Sequence, residues 1–276
     1  MALSALAVLG AGACSPDAGG DAGGDTAPAE ARAGGEAPAG VTIEYIAHAS
    51  FRITAPDGTI LMVDPYESRW WLGYDFPADL DAPTAVLLSH PHPDHDAGYE
   101  AGRDVPWGDE VAVLTSPGQY VFDGVKVYGV RGKHADPYGK EFGQRNTIWL
   151  IDTGELRIAH IGDNGPVTDE IVAALGRVDI LMLPVDDAEH ILSHEEVEEW
   201  RARLSPRVLI PMHYRLDDIE IDPDSPSDLQ SIEDWLTRQI DFGRLDENSI
   251  TLTADDLPPS PRIWVFPHSP AVVSPN

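Results

Sequence analysis

The chain has 276 residues, enough for one large domain and a tail, and 42% of them are apolar, which supplies a real core. Its formal net charge is −29, from 47 acidic against 18 basic residues, and its only lysines are Lys126, Lys133 and Lys140. Such a surface repels phosphate backbones and argues against a nucleic-acid partner.

Residues Ala2 to Ala13 are small and apolar, and Cys14 follows at once. This arrangement resembles a bacterial lipoprotein signal, which implies lipidation at Cys14. The segment lacks Lys and Arg before its apolar run, and Ala11 stands where leucine is usual. The run is too short for a permanent membrane-spanning helix. Ser15 to Gly40 is dominated by Asp, Gly, Ala, Pro and Glu. It cannot bury enough apolar surface to fold and reads as a disordered tether. The expected layout is therefore a signal over 1–14, a tether over 15–40 and a domain over 41–276. The expected location is the bacterial periplasm or outer membrane, with membrane contact only through the lipid anchor.

Val41 to Ile46, Ser50 to Thr54 and Thr59 to Val63 read as three short strands, with Asp57-Gly58 turning between the last two. Tyr66 to Pro83 carries Tyr66, Trp70, Trp71, Tyr74 and Phe76. Those rings either wall an apolar substrate pocket or cover the edge of a sheet.

Ala85 to Leu88 is a buried strand, and it delivers Ser89 to Asp96, SHPHPDHD. Pro91 and Pro93 forbid an ordinary helix there and hold the loop extended. Residues two apart in an extended segment share a side, so His90 and His92 aim at one point and Asp94 follows. Imidazole and carboxylate are ligands that borderline divalent metals prefer. With Cys14 the only cysteine, a thiolate-rich structural zinc site is excluded.

Strand character resumes at Val111 to Thr115, Tyr120 to Phe122 and Val125 to Val130, before a polar loop that carries His134. Thr147 to Asp152 and Leu156 to Ile161 form a hairpin that runs into His160-Ile-Gly-Asp163. Thr168 caps a short helix that stops at Gly176. Val178 to Leu183 is an apolar strand. Ser193 and Glu196 form a capping box for a helix that buries Val197, Trp200 and Leu204. The strand Arg207 to Ile210 delivers Pro211-Met-His213. Ser225 with Pro226 is expected to open a helix bearing Leu229, Ile232 and Leu236. Ser249 to Thr253 and Arg262 to Phe266 read as edge strands. His190 and His194, at a helix start, are expected to be inert more often than to touch substrate, and His268 is expected in solvent.

The spacing H-x-H-x-D-H after an apolar strand, followed in order by His134, Asp163 and His213, resembles the metallo-β-lactamase fold superfamily from about Val41 to the end. The resemblance implies an α/β fold, a four-layer αββα sandwich with two mixed sheets flanked by helices. It implies two divalent metal ions, zinc or manganese. His90, His92 and His134 would hold the first; Asp94, His95 and His213 the second; Asp163 would bridge them. His160 competes with His134 for the first ion, and the order of the family favours His134. His48, His160 and Asp64 are expected to support ligands or touch substrate. Asp186-Asp187 falls where related proteins often have glycine after Leu-Pro-Val.

His-x-Gly-Asp163 and Ile-Pro-Met-His213 are similar to the branch that contains ascorbate-6-phosphate lactonase and N-acylphosphatidylethanolamine phospholipase D. The implied activity is metal-dependent hydrolysis of an ester, lactone or phosphodiester in a small molecule or lipid. A metal-bound hydroxide attacks, and Asp94 positions it and takes a proton. The alternatives are a tethered metal-binding or sensing protein without turnover, and a β-lactamase.

Overall fold

The computed structural model describes residues 39–274 apart from 104, 109–110, 136, 138, 141–142 and 188–190. The expected signal with Cys14, the tether up to residue 38, and His190 lie outside the described residues.

Two mixed sheets carry the molecule. The first runs in the order β13-β1-β2-β3-β4-β5. It is built from β1 (Val41–Ala47), β2 (Ser50–Thr54), β3 (Ile60–Val63), β4 (Ala85–Leu87), β5 (Ala112–Leu114) and β13 (Ser249–Leu252). The second runs β12-β14-β11-β10-β9-β8-β7-β6. Its strands are β6 (Gly118–Phe122), β7 (Val125–Lys133), β8 (Arg145–Asp152), β9 (Arg157–His160), β10 (Ile180–Pro184), β11 (Val208–Met212), β12 (Phe242–Arg244) and β14 (Arg262–Val265). Antiparallel pairing joins β1, β2 and β3, and it also joins β6 to β9. β3, β4 and β5 are parallel, as are β9, β10, β11, β14 and β12. One apolar cluster draws on both sheets, with Phe51 of β2 meeting His160 of β9 edge-on at 5.9 Å.

Local chemistry fixes the elements. Gly58 turns the β2–β3 hairpin at φ 89°, and Asp57 Oδ1 accepts from the Thr59 amide. α1 (Asp169–Leu175) is capped by Thr168 and ends at Gly176. α2 (His194–Leu204) opens on the Ser193–Glu196 capping box and buries Val197, Trp200 and Leu204. No helix among the described residues is long and apolar enough to cross a membrane.

Three expectations need correction. The helix expected from Ser225 is α3 (Ile232–Leu236), capped by Ser231. The Ser225 hydroxyl is spent instead on the Trp71 carbonyl, and the chain continues without a helix past Pro226. β14 is not an edge, because β12 pairs along it. β12 holds only Phe242, Gly243 and Arg244, too short a run to read as a strand. His268 is half-buried rather than in solvent: the carboxy-terminal segment folds back, its Ser269 amide donating to Ile46 O, and His268 Nδ1 donates to Ser269 O.

Candidate metal centre

In open α/β sheets ligands gather beyond the carboxyl ends of parallel strands, and the candidate residues follow that rule. Asp64 comes directly after β3 and Ser89 two residues after β4 ends. Asp163 lies just past β9, Asp186 just past β10 and His213 next after β11. His134 follows β7, and His48 sits in the β1–β2 turn. His48, Asp64 and His213 have φ of 56°, 44° and 57°, left-handed conformations that cost a non-glycine residue on the order of 1–3 kcal/mol each. The His213 amide donates to the His48 carbonyl at 2.9 Å, which locks two of these turns together.

Two groups of side chains could each hold a metal ion: His90, His92, His134 and Asp163, and beside them His48, Asp94, His95 and His213. Within each group the potential ligand atoms lie within 4.8 Å of one another. Asp163 faces both. Its Oδ2 is 3.5 Å from His90 Nε2, 3.5 Å from His134 Nε2 and 3.4 Å from His213 Nε2, and its Oδ1 is 3.1 Å from His95 Nε2. Asp94 Oδ2 is 3.1 Å from His48 Nε2, 3.5 Å from His95 Nε2 and 3.8 Å from His213 Nε2. All seven residues expected to bind metal therefore converge, with His48 joining the second group.

Neighbours set which nitrogen carries the proton. The Ser89 hydroxyl donates to Asp64 Oδ2 at 2.6 Å, so it accepts from His90 Nδ1 at 2.9 Å. His134 Nδ1 donates to Ala135 O at 2.8 Å, and His95 Nδ1 donates to Asp64 Oδ2 at 2.8 Å. His213 Nδ1 lies 3.2 Å from Asp186 Oδ2. A hydrogen held on Nδ1 leaves Nε2 as the ligand atom in His90, His134 and His95, and the charge of Asp186 beside Nδ1 favours the same arrangement in His213. His92 instead points Nδ1 inward, 3.0 Å from His90 Nε2. The buried atoms His95 Nε2, His134 Nε2, His213 Nε2 and Asp163 Oδ1 have no hydrogen-bond partner. Buried polar atoms left this way need an explanation, and a donor set of imidazole and carboxylate fits borderline divalent cations.

The same bookkeeping separates His134 from His160. His160 Nδ1 accepts from the Gly162 amide at 3.2 Å, and its Nε2–H donates to Ala49 O at 2.8 Å. Both nitrogens are spent, so His160 supports the site from beneath. Gly162 (φ 56°) lets that turn pass: a Cβ there would come 2.5 Å from Ser89 Cβ. Asn146, which sequence reasoning missed, accepts from the Asp163 amide at 3.2 Å and donates to Ile161 O at 2.9 Å. Asp186 as the neighbour of His213 was missed too. Asp96 faces away from the metal groups, accepting from the Gly98, Tyr99 and Glu100 amides and capping the turn beyond the loop.

A family model described as "Beta-lactamase superfamily domain" matches residues 42–213. The chain belongs to this superfamily. A UPF0173 metal-dependent hydrolase of Thermoplasma acidophilum is 26% identical over 182 residues, which is 59% of this chain and 80% of the relative. Another from Rubrobacter xylanophilus is 27% identical over 210 residues, covering 63% and 82%. Among solved structures, a Thermotoga maritima member of the metallo-beta-lactamase superfamily superposes with a TM-score of 0.61 at 23% identity, covering 83% of this chain and all of that one. That likeness shows the fold, the two-sheet αββα sandwich.

In this member of the superfamily the two groups differ electrically. Burial and the neighbouring His95 push His90 well below the usual histidine range. Burial and His213 push His48 down to about 4, against the pull of Asp94. Burial works the same way on His95, but Asp163 and Asp94 outweigh it and raise His95 to about 10. Asp163 and Asp186 likewise raise His213 well above its ordinary value. Asp94 is raised by burial, yet His95 and His48 outweigh that and hold it far below the carboxylate range. The same balance, led by His213, holds Asp163 down.

A cavity of about 360 Å³ opens over both groups. Its floor is His92, Asp94, His134, Asp163 and His213; its walls are Trp70, Trp71, Pro93, Ile191 and Pro226; Asp228 stands at the rim. The aromatic loop thus splits. Trp70 and Trp71 face the cavity, while Tyr66, Tyr74 and Phe76 are buried and meet edge-on at 5.4 and 5.1 Å. His194 starts α2 and does not line this cavity.

Proposed function

We propose that the protein is a hydrolase that works with two divalent metal ions, zinc or manganese, on an ester, lactone or phosphodiester bond. The observation that carries this reading is the set of inward-facing histidine nitrogens whose opposite nitrogens are held by acceptors, gathered round Asp163 on the floor of a substrate-sized cavity. His90, His92, His134 and Asp163 would hold one ion. Asp94, His95, His213 and Asp163 would hold the other, with His48 alongside. Bound there, the ions would supply Lewis acidity and an acidified water. The relatives carrying the words metal-dependent hydrolase support the same reading.

The chain's own residues supply the rest. The Asp94 side chain is 11% exposed, against 3% or less for His95, Asp163 and His213, so it is the acid that meets substrate. His48 donates Nε2–H to Asp94 Oδ2, which fixes the carboxylate, and His95 together with His48 keeps it ionised. Asp94 then orients the attacking water and takes its proton. Cys14 lipidation and export to the periplasm or outer membrane belong to this proposal as well; Cys14→Ser should release the protein into the soluble fraction, and continued membrane association would count against the anchor.

Metal analysis of the purified protein tests the core of the reading, with about two ions per chain expected. Asp94→Ala and His213→Ala should each abolish turnover of chromogenic esters, lactones and phosphodiesters. Turnover that survives both changes would overturn the assignment.

A further inference from the structure

We infer that this cavity selects an uncharged ester or lactone whose apolar portion lies against Trp70 and Trp71, and that it rejects phosphodiesters and other anionic esters. The inference narrows the hydrolase reading and rests on it.

The first argument is charge. Four buried or nearly buried carboxylates surround the histidines: Asp64, Asp94, Asp163 and Asp186. Two divalent ions would bring four positive charges, which these four acids cancel when the histidines are neutral ligands. Asp186 is decisive, because without it the four metal charges would outnumber the acids by one. Asp228 adds a further acid at the rim. No lysine or arginine is found among the described residues that line the cavity. An adjoining groove shares Trp70, His92 and Pro93 and contains Arg103 and Arg145. Those two are engaged by Glu67 and Glu100. An anionic substrate therefore meets no uncompensated cation, and a desolvated charge without a partner is costly.

The second argument is the wall. Trp70 is 52% exposed, a large apolar surface held at the cavity mouth. Trp71 stands edge-on to His48 at 6.2 Å, beside the second metal group. The loop that carries them is fastened before any substrate arrives. Ser225 donates its hydroxyl to Trp71 O, and the Asp222 amide donates to Gly73 O at 2.8 Å. At Gly73 (φ 77°) a Cβ would sit 2.8 Å from Ser225 Cβ, so only glycine allows this approach. The same segment continues into Pro226 and Asp228, which also line the cavity. A preformed aromatic wall facing apolar side chains suits a flat or branched hydrocarbon group.

In the reaction, the water oxygen bonds to the acyl carbon and the acyl–oxygen bond breaks. One water proton ends on the leaving alkoxide, and the other leaves the new carboxylic acid for solution.

The test uses p-nitrophenyl butyrate and mono-p-nitrophenyl succinate, two esters of similar length that differ by a terminal carboxylate, together with bis(p-nitrophenyl) phosphate. For the zinc-loaded full chain, kcat/KM should favour the butyrate by about tenfold or more over both anions. Asp228→Lys should shrink the gap between butyrate and succinate. Trp71→Ala should raise KM for the butyrate about threefold to tenfold. It should weaken binding of the uncleaved amide N-(4-nitrophenyl)butanamide to a similar degree, measured by calorimetry with and without zinc. Equal or faster turnover of either anion would overturn the inference, as would amide binding that is absent or indifferent to Trp71. Amide binding that depends on Trp71, with no ester, lactone or phosphodiester turned over, would instead sink the hydrolase reading and, with it, the ester selectivity, leaving only an apolar binding wall at Trp71.

Discussion

The two metal groups are built from the same residue types but are held differently. In the first, His90 is oriented by a serine hydroxyl and His134 by a backbone carbonyl, both neutral. In the second, His95 is oriented by Asp64 and His213 faces Asp186, both carboxylates. The histidines also differ in charge, chiefly because Asp163 and Asp94 act on His95, and Asp163 and Asp186 on His213, while burial and His95 act on His90. His90 is driven below its ordinary range, whereas His95 and His213 are driven above it. A neutral support leaves a ligand ready for metal at ordinary pH. An anionic support makes a stronger ligand, but one that holds a proton until metal displaces it.

Asp163 belongs to the first group and lies 3.1 Å from His95 and 3.4 Å from His213 of the second, so its loss should have the largest effect. Asp163→Ala should bring metal content from about two ions per chain to near none, read by elemental analysis. Retention of one full ion would show that the groups do not depend on a shared acid. Next come the anionic supports. Asp64→Asn and Asp186→Asn should each weaken zinc at the second group about 10- to 100-fold in competition with a coloured chelator, with far less change at the first. Equal weakening at both would erase the contrast. Ser89→Ala acts on both sides, because Ser89 accepts from His90 and donates to Asp64. About tenfold weakening at each group is expected.

The smallest expected effect is on melting temperature. In the metal-free protein, His95 rises from 6.5 to about 10 on folding. Its contribution is therefore complete below pH 6.5 and is lost as pH climbs toward 10. His48 falls to about 4, so its burial costs stability as pH drops from 6.5 through 4. The metal-free protein should melt highest near pH 6.5 and a few degrees lower at pH 9. Zinc should raise the melting point more at pH 9 than at pH 6.5, since binding displaces protons. A zinc effect that shrinks with rising pH would contradict the sign.

The sequence made the first half of this site legible. Ser89 to Asp96 is a local pattern, and two prolines and an apolar strand are enough to say how it points. The supports were harder to see. Ser89 and Asp64 are 25 positions apart, and Asp186 and His213 follow the ends of neighbouring parallel strands, so their pairing exists only once the sheets form. Asn146 sits near the start of β8 between Arg145 and Thr147 and carries no spacing signal. The sorting of Trp70 and Trp71 from Tyr66, Tyr74 and Phe76 follows no periodicity either. The Ser225 capping site misled because its hydroxyl had a distant competitor, the Trp71 carbonyl.

Anomalous diffraction from crystals grown with zinc would weigh the central claim most directly. Two adjacent peaks are expected: one among His90, His92 and His134, the other among Asp94, His95 and His213, with Asp163 touching both. A single peak, or zinc found only on the acidic surface, would contradict it.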